Sequence, residues 1–455
     1  MKILVTAAGS YGDVAPYTGL GARLQEAGHT VALAADASYA PLVRAAGLEF
    51  RALPADPRAA SRRAQGGAPG GQRELMRRAA AFVRELGPGI ADAAAQGADL
   101  LLLSATTAPL GRHAAEAMDI PSLDLPLQPN APTGDFPPVV TGTRSLGRWG
   151  NRTAGRLSLR VVDRLYADGV RELRARLGLP PVSAGTLRRR RNADRRTVLH
   201  GVSPALVPRP SDWRPGLELV GNWWPYTAPD AALPPALEDF LAAGPPPVFV
   251  GFGSMGAGAG AGARDDGTAA RLTANVAAAL RRAGVRGVIQ SGWAGLGGPD
   301  DGDVGLENGD GPEGGTGPES GDGPESGSGS GAGDDILTVG EVPHALLFPR
   351  TAAVVHHAGA GTTAAALRAG VPAVPVPVTA DQPFWAARLA AVGAGTGPVP
   401  FRALAEGEGA PDLLATAITR AVREPAYRAA ATGIARRMAA EDGAGEVVKV
   451  VEGEG

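Results

Sequence analysis

Short apolar runs alternate along the first third of the chain with amphipathic segments that stop at glycine. This pattern predicts, in order, a strand at 2–7, a helix at 16–27, a strand at 30–34, a helix at 37–46 and a strand at 48–53. Four consecutive leucines, Leu100 to Leu103, predict a further strand that is buried on both faces. Strands that alternate with helices are typical of a parallel sheet.

A second alternating series follows a segment that is rich in proline and tryptophan. Its predicted elements are a strand at 247–254 that runs into a glycine loop, a helix at 268–283, strands at 285–290, 336–339 and 352–356, a helix from about 362, a strand at 373–378 and a helix at 382–392. The chain is therefore predicted to be an α/β protein with two Rossmann-like parallel-sheet domains that face a central cleft. Ligands of such sheets bind beyond the carboxyl ends of the strands, so the cleft is the expected site.

The predicted domain boundaries follow from this organisation. An N-terminal domain is expected at residues 1–206, a linker at 207–235 and a C-terminal domain at 236–455, with the last helix as a candidate to pack back on the first domain. Residues 294–335 are predicted to be a flexible insert. The stretch from Gly295 to Asp335 has 16 glycines, 11 acidic residues and neither Lys nor Arg, a composition that cannot form a core.

Charge and composition exclude several classes of protein. The net charge of −2 includes the acidic insert, so the rest of the chain is basic, and anionic ligands suit it. No basic stripe with interleaved aromatic residues suggests nucleic acid binding. The run Arg188 to Arg191, with Arg195 and Arg196, is predicted to be a solvated loop, and peripheral contact with an anionic membrane is the weaker alternative.

The chain contains no cysteine, which excludes disulfides, thiolate metal sites and a cysteine nucleophile. No apolar run approaches the roughly 18 residues of a membrane-spanning helix, and Ile3 to Val5 is too short for the core of a signal peptide. These features predict a soluble protein with a cytoplasmic location.

The segment from Val354 to Thr363 carries the clearest chemistry, because an apolar strand ends there, two glycines follow and a helix begins. Free backbone N–H groups at such a helix start favour a phosphate, and His357 is a further donor. The alternative is a structural turn in which the glycines are needed only for their backbone dihedral angles and the histidines satisfy backbone groups. The pattern Gly359-x-Gly361-x-x-Ala364, with Asp381 twenty residues beyond Gly361, also matches a dinucleotide fingerprint, so a dehydrogenase is a competing interpretation.

Several motifs in order resemble those of one known family. They are His356-His357-Ala358-Gly359-Ala360-Gly361-Thr362-Thr363, Asp381-Gln382-Pro383-Phe384-Trp385-Ala386, the N-terminal Gly9-Ser10-Tyr11-Gly12-Asp13, the loop Gly251-Phe252-Gly253-Ser254-Met255 and Ser291-Gly292-Trp293. Together they resemble the inverting nucleotide-sugar glycosyltransferases of GT-B fold, most closely the bacterial glycopeptide and macrolide enzymes and the sterol glucosyltransferases. The resemblance covers nearly the whole chain apart from the acidic insert.

The resemblance implies a role for each matched residue. The donor diphosphate would contact Ser254, His357, Gly359, Gly361, Thr362 and Thr363. The donor sugar would contact Asp381 and Gln382, and the nucleobase would lie against Trp293 and the backbone near Val342. The acceptor side of the cleft would include Ser10, Tyr11, Phe136 and Trp385, although the aromatic residues are equally ordinary core candidates.

Asp13 would be the general base by the same resemblance, and the alternative is a helix cap for the segment at Pro16. The implied activity is transfer of a sugar from a UDP- or TDP-sugar to a hydroxyl group of a hydrophobic small molecule. It needs no cofactor and no metal, and the pattern Asp301-Gly302-Asp303 is interpreted as composition of the insert. A nucleotide-sugar epimerase of similar fold and a catalytically silent binding protein are the alternatives.

Overall fold

A computed structural model describes residues 1–53, 72–140, 144–193, 195–253, 266–291, 335–407 and 409–453. The strands are β1 Lys2–Thr6, β2 Thr30–Asp36, β3 Glu49–Leu53, β4 Leu100–Leu103, β5 Ser122–Asp124, β6 Val198–His200, β7 Leu217–Leu219, β8 Val248–Gly251, β9 Gly287–Gln290, β10 Ile336–Val339, β11 Ala353–His356 and β12 Ala373–Pro375.

The helices include a short 3-10 turn at Ala37–Tyr39 and another at Phe348–Arg350. The α-helices are α1 Tyr11–Glu26, α2 Ala40–Ala45, α3 Gln72–Ala95, α4 Ala108–Met118, α5 Gly147–Arg176, α6 Ala184–Ala193, α7 Pro235–Ala242, α8 Asp266–Ala283, α9 His344–Leu347, α10 Ala360–Arg368, α11 Gln382–Ala391, α12 Phe401–Glu406, α13 Ala410–Arg423, α14 Pro425–Met438 and α15 Gly443–Glu452.

Within the described residues, the strands form two parallel sheets, as the alternation of strands and helices predicts. The N-terminal sheet has the order β3-β2-β1-β4-β5-β6-β7, and the C-terminal sheet has the order β10-β9-β8-β11-β12. β1 and β11 each lie inside their sheet with neighbours on both sides. The loop that follows each of these two strands is therefore held by the strands beside it.

The N-terminal sheet extends further along the chain than the predicted domain boundary. β7, at Leu217–Leu219, pairs in parallel with β6 and lies inside the segment that was expected to be the linker. Trp223 is buried among apolar residues of the N-terminal domain such as Tyr17. The connection to the second sheet consequently begins after β7 rather than at residue 207.

Apolar side chains cover both faces of the N-terminal sheet. One cluster packs α1 and α2 against alternate residues of β1 and β2, including Val5 and Leu33. The other cluster packs α3, α4 and α5 against the opposite face, including Leu4 and Leu101. Burial on both sides explains why these strands are uniformly apolar.

The last helix returns from the C-terminal domain to the N-terminal one. α15 contacts α1, and Val447 is buried in the same cluster as Ile3. The Trp223 indole N–H donates a hydrogen bond of 3.0 Å to the carbonyl of Gly443 at the start of this helix. The chain therefore crosses between the two domains twice.

Two segments of the predicted organisation, the arginine run and the acidic insert, need separate description. Arg188 to Arg191 lie on α6 rather than in a solvated loop, and Arg188 forms an ion pair of 3.1 Å with Asp163 of α5. The insert predicted at 294–335 lies outside the described residues, apart from Asp335. Among the described residues, no helix is long and apolar enough to span a membrane.

Candidate active site

The loop between β1 and α1 presents the carboxylate of Asp13. Ser10 precedes the helix, and both its backbone N–H and its hydroxyl donate hydrogen bonds of 2.8 Å to Asp13 Oδ2. Oδ1 accepts no hydrogen bond from any described residue. Gly9 is required here, because its φ is +143° and a β-carbon at this position would lie 2.4 Å from Asp13 Oδ2.

The surroundings of Asp13 make its carboxyl group a stronger base than usual. Burial raises the pKa of Asp13, and the negative charge of Asp381 raises it further, while the two hydrogen bonds from Ser10 act in the opposite direction. α1 begins at Tyr11 rather than at Pro16, so Ser10 is its N-cap, and Asp13 lies in its first turn, where Oδ2 accepts the two hydrogen bonds from Ser10. The role of Asp13 as the general base stays a prediction.

The turn after β11 places His357 between two glycines. A β-carbon at Gly359 would lie 2.5 Å from the imidazole Nε2, and one at Gly253 would lie 2.8 Å from Cε1. Burial lowers the pKa of His357 to about 4, so the ring is neutral near pH 7. Its Nδ1 is buried and has no partner among the described residues.

The first turn of α10 is open to a ligand. The residue before the helix is Gly359, which has no side chain to cap the backbone N–H groups, and the first turn holds no acidic residue. A β-carbon at Gly361 would meet nothing within 4 Å. The hydroxyl of Thr363 is buried without a partner in the described part of the chain. Unpaired donors at a helix start, beside a neutral imidazole, fit an anion such as a diphosphate.

Asp381 lies at the start of α11, and its carboxylate is held by neighbours. The indole N–H of Trp385 donates a hydrogen bond of 2.7 Å to Asp381 Oδ2. Burial raises the pKa of Asp381, and hydrogen bonds from Trp385 and from Gln128 partly offset this rise. Gln382 is buried, and its Oε1 accepts hydrogen bonds from the backbone N–H groups of Val378 and Thr379. Only its amide nitrogen is left for a sugar.

The Asp13 loop faces the C-terminal domain across the cleft. α1 packs against α10, and the charge of Asp381 from the C-terminal domain acts on Asp13 of the N-terminal domain. Partial burial and the Glu341 carboxylate of the C-terminal domain raise the pKa of Tyr11. Phe136 of the N-terminal domain meets Phe384 edge-to-face, with the ring centroids 5.3 Å apart.

Four other predicted site residues fall into three groups. Ser254 and Trp293 lie outside the described residues. The Val342 side chain is buried in a core cluster with Phe249, so only its backbone is left for a nucleobase. Trp385 is 2% exposed, and its contribution to the site is the hydrogen bond to Asp381 rather than a wall of the cleft.

A large cavity lies in the N-terminal domain beside this cleft. Its volume is about 1940 Å³, and its apolar lining includes Phe136, Val139, Leu159, Val162, Tyr166 and Val170. Phe136 is the one predicted acceptor residue that lines it, and neither Asp13 nor His357 does. Phe136 therefore connects the cavity to the interdomain contact at Phe384.

Three residues to which the motifs assign no ligand contact support this site. His356 is fully buried, and its Nδ1 accepts the backbone N–H of Ala358 at 3.1 Å, which holds the turn that carries His357. Gln128 reaches Asp381 from the other domain. Gly253 packs against the imidazole of His357. The adjacent histidines were a usable signal, whereas a contact between domains leaves no local pattern.

No group of three or more His, Asp or Glu side chains among the described residues lies close enough together to hold a metal ion. The pattern at Asp301 and Asp303 lies outside these residues.

Two family descriptions match the chain, one in each domain. "Glycosyltransferase family 28 N-terminal domain" matches residues 3–129, and "Erythromycin biosynthesis protein CIII-like, C-terminal domain" matches residues 327–453. The second match contains the turn at His357 and the segment at Asp381. The first contains the loop at Asp13.

Curated relatives are similar over almost the whole chain. O-mycaminosyltylonolide 6-deoxyallosyltransferase of Streptomyces fradiae is 34% identical, covering 99% of this chain and 97% of the relative. Vancomycin aglycone glucosyltransferase of Amycolatopsis orientalis is 30% identical, with coverages of 96% and 93%. A sterol 3-beta-glucosyltransferase of Arabidopsis thaliana is 32% identical over 88% of this chain and 58% of its own length.

Solved structures share the fold at lower sequence identity. The glycotransferase of kitacinnamycin superposes with a TM-score of 0.66 at 19% identity, covering 100% of this chain and 98% of that one. The glycosyltransferase VinC, in complex with DTDP, superposes with a TM-score of 0.62 at 20% identity and 99% coverage of both chains. The two-domain arrangement predicted from the sequence is the arrangement of these structures.

Proposed function

The chain belongs to the GT-B glycosyltransferases that join a family 28 N-terminal domain to an EryCIII-like C-terminal domain, and on this premise we propose its reaction. It moves a sugar from a UDP- or TDP-sugar to a hydroxyl group of a hydrophobic small molecule, with inversion at the anomeric carbon and without a metal ion. Membership of this family removes the dehydrogenase interpretation of the glycine pattern at Gly359.

The observation that carries the proposal is the pair of opposed helix starts. α10 offers uncapped N–H groups and the neutral His357 to an anion, and α1 offers the free Oδ1 of Asp13 on the other side. We propose that a diphosphate at α10 directs its sugar towards the N-terminal domain. In this arrangement Asp13 and the leaving group would approach the sugar from opposite sides, as inversion requires.

The chemical step follows from these positions. Asp13 removes the proton of the acceptor hydroxyl, the oxygen forms a bond to the anomeric carbon, and the bond from that carbon to the diphosphate oxygen breaks. The raised pKa of Asp13 favours proton uptake. The N–H groups of α10 and His357 stabilise the charge that develops on the departing diphosphate. Asp381, oriented by Trp385, is placed to accept hydrogen bonds from sugar hydroxyls.

The class of acceptor is supported by the cavity and by the relatives. The cavity of about 1940 Å³ is lined largely by apolar side chains, and Phe136 at its edge contacts the C-terminal domain. The names of the relatives specify a tylonolide, a vancomycin aglycone and sterols, which are bulky and carry hydroxyl groups. We therefore propose an acceptor of this size and polarity.

A two-stage experiment tests the proposal. First, the full chain is incubated with UDP, TDP and a panel of their sugars, and the melting temperature is measured, since a ligand of the folded state stabilises it by mass action. Second, each stabilising donor is incubated with a panel of hydrophobic alcohols and phenols in the presence of EDTA. Product is detected by mass spectrometry, and its anomeric configuration is determined by NMR.

Each outcome has a defined meaning. Stabilisation by a nucleoside diphosphate and a product of inverted configuration support the proposal. Conversion of the donor sugar without an acceptor would instead indicate a nucleotide-sugar epimerase. Donor binding with no turnover across the acceptor panel, in wild type and Asp13→Asn alike, would indicate a silent binding protein. A retained configuration would overturn the inverting step.

A further inference from the structure

The outer side of α5 carries an exposed apolar ridge, which we define as Trp149, Leu157 and Val161. Their exposed fractions are 82%, 57% and 51%. The spacing of eight and then four residues places the three side chains on one side of the helix. A single exposed apolar residue is ordinary, but a tryptophan at the head of an aligned series marks an interaction surface.

Three arginines alternate with the apolar ridge on the same side of α5. Arg156, Arg160 and Arg164 are exposed, and none of them forms an ion pair or hydrogen bond with a residue in the described ranges. The first acidic residue of the helix is Asp163, so no carboxylate of the helix itself lies among the positive charges of its first four turns. Like charges spaced by four residues destabilise a helix, so its own stability does not account for them.

Other arginines of the same helix behave differently. Arg148 is paired with Asp135, and Arg152 is paired with Asp212. These residues tie the start of α5 to neighbouring loops. The unpaired arginines are therefore confined to the side that carries the apolar ridge.

We propose that this side of α5 docks on the surface of an anionic phospholipid membrane. Tryptophan settles at the headgroup level, leucine and valine enter the acyl boundary, and arginines bind lipid phosphates while their alkyl stems stay apolar. The three unpaired arginines beside the apolar ridge match the two layers of an anionic bilayer surface, the lipid phosphates and the acyl boundary beneath them, and we therefore commit to this occupant. A nucleic acid would bind the arginines through its phosphates but would leave the apolar ridge exposed to water.

Co-sedimentation with vesicles tests the proposal directly. The full chain is mixed with large unilamellar vesicles of phosphatidylcholine containing about 30 mol% phosphatidylglycerol, and with vesicles of phosphatidylcholine alone. We expect clear binding to the anionic vesicles, weak binding to the neutral ones, and partial release at about 0.5 M NaCl. No nucleotide and no acceptor is present, so the result is independent of the proposed function.

Two variants separate the charged and apolar contributions. The triple variant Arg156→Gln, Arg160→Gln and Arg164→Gln should lower the partition coefficient about 100-fold, at about fivefold for each basic residue near the bilayer. Trp149→Ser should weaken binding to anionic vesicles and abolish the residual binding in high salt. The control variant Arg281→Gln, Arg282→Gln and Arg436→Gln removes three exposed charges from the C-terminal domain and should bind like wild type.

Other results overturn the proposal. Equal sedimentation of the wild type with anionic and neutral vesicles, or equal loss in the control variant and the α5 variant, would exclude this surface as the membrane contact. A concentration-dependent dimer that Trp149→Ser abolishes, without vesicle binding by the wild type, would assign the apolar ridge to a second copy of the chain. Melting temperatures of all variants confirm that each one folds.

Discussion

The loops after β1 and β11 use the same backbone arrangement for opposite purposes. In each, an inner strand of a parallel sheet ends, a glycine brings the chain close to a side chain, and a helix begins. At α1 the carboxylate of Asp13 accepts both hydrogen bonds from Ser10, so this helix start already holds a negative charge. At α10 the preceding residue is Gly359, and no side chain caps the helix.

This difference in charge indicates which of the two helix starts is suited to a phosphate. A phosphate near α1 would meet the carboxylate of Asp13, whereas a phosphate near α10 meets free N–H groups and a neutral imidazole. Under the proposed function, the helix start that holds Asp13 would present the base, and the uncapped helix start after Gly359 would bind the leaving group. Changes at either loop test this division of roles.

The largest effect is expected at the carboxylate. Asp13→Asn keeps an oxygen that accepts from Ser10 but removes the proton acceptor, so turnover should fall by about 10²–10⁴-fold while donor affinity stays close to wild type. The measurement is kcat together with nucleotide affinity. Ser10→Ala, which removes only one hydrogen bond to Asp13, is the control and should reduce turnover far less. Turnover of Asp13→Asn within a few-fold of wild type would assign the base to another residue.

The next effect is expected at the imidazole. His357→Ala removes a donor to the diphosphate, and a hydrogen bond to a charged group contributes about 1.5–3 kcal/mol, so nucleoside diphosphate affinity should fall by roughly 10- to 100-fold. Calorimetric titration with UDP or TDP measures the affinity of each variant. The control is His29→Gln, which replaces a histidine of the N-terminal domain and should leave the nucleoside diphosphate affinity unchanged. Equal affinities in wild type and His357→Ala would remove the imidazole from the diphosphate site.

A methyl group at Gly361 separates binding from stability. A β-carbon there meets no protein atom within 4 Å, so Gly361→Ala should stabilise α10 by about 1 kcal/mol. The same methyl group projects into the space assigned to the diphosphate, and affinity should fall about tenfold. The control is Gly433→Ala in α14, where a β-carbon also meets no protein atom within 4 Å. It should raise the stability and leave the nucleotide affinity unchanged. A gain in stability at Gly361 with unchanged affinity would place the anion elsewhere.

The smallest effect is a difference in pH dependence between the loops. His357 has a folded pKa of about 4, below its unfolded value near 6.5, so its contribution to stability is complete above about pH 6.5 and is lost as the pH falls towards 4. Asp13 has a raised folded pKa, so its contribution has the opposite sign: it is present below its unfolded pKa and is lost as the pH rises through the folded value.

Chemical denaturation at several pH values measures this difference. His357→Gln should reduce the loss of stability between about pH 7 and about pH 5.5 by about 1 kcal/mol. Asp13→Asn should reduce the loss of stability that the raised pKa of Asp13 produces as the pH rises, because an amide does not ionise. Parallel pH profiles for wild type and both variants would contradict the opposed electrostatics of the two loops.

The sequence predicted the parts of the fold that have strong local patterns. Long apolar strands such as Leu100–Leu103 and the glycine turn at His357 were recognisable, and the alternation of elements gave both sheets. β7 lies among prolines and has only three residues, which are too few for a periodic signal, so the sequence pattern assigns this segment to the linker. Contacts between residues far apart in the chain, such as Gln128 with Asp381, have no local signature at all.

The return of α15 to the first sheet also affects the order in which the protein folds. Val447 completes a core that begins with Ile3, yet the ribosome adds it only after every strand of the second sheet. The domain made first is therefore finished last, in contrast to the usual sequence in which an N-terminal domain folds while synthesis continues. Until α15 emerges, Trp223 and the apolar side of α1 lack part of their cover, and this interval is when the nascent chain depends most on protection from aggregation.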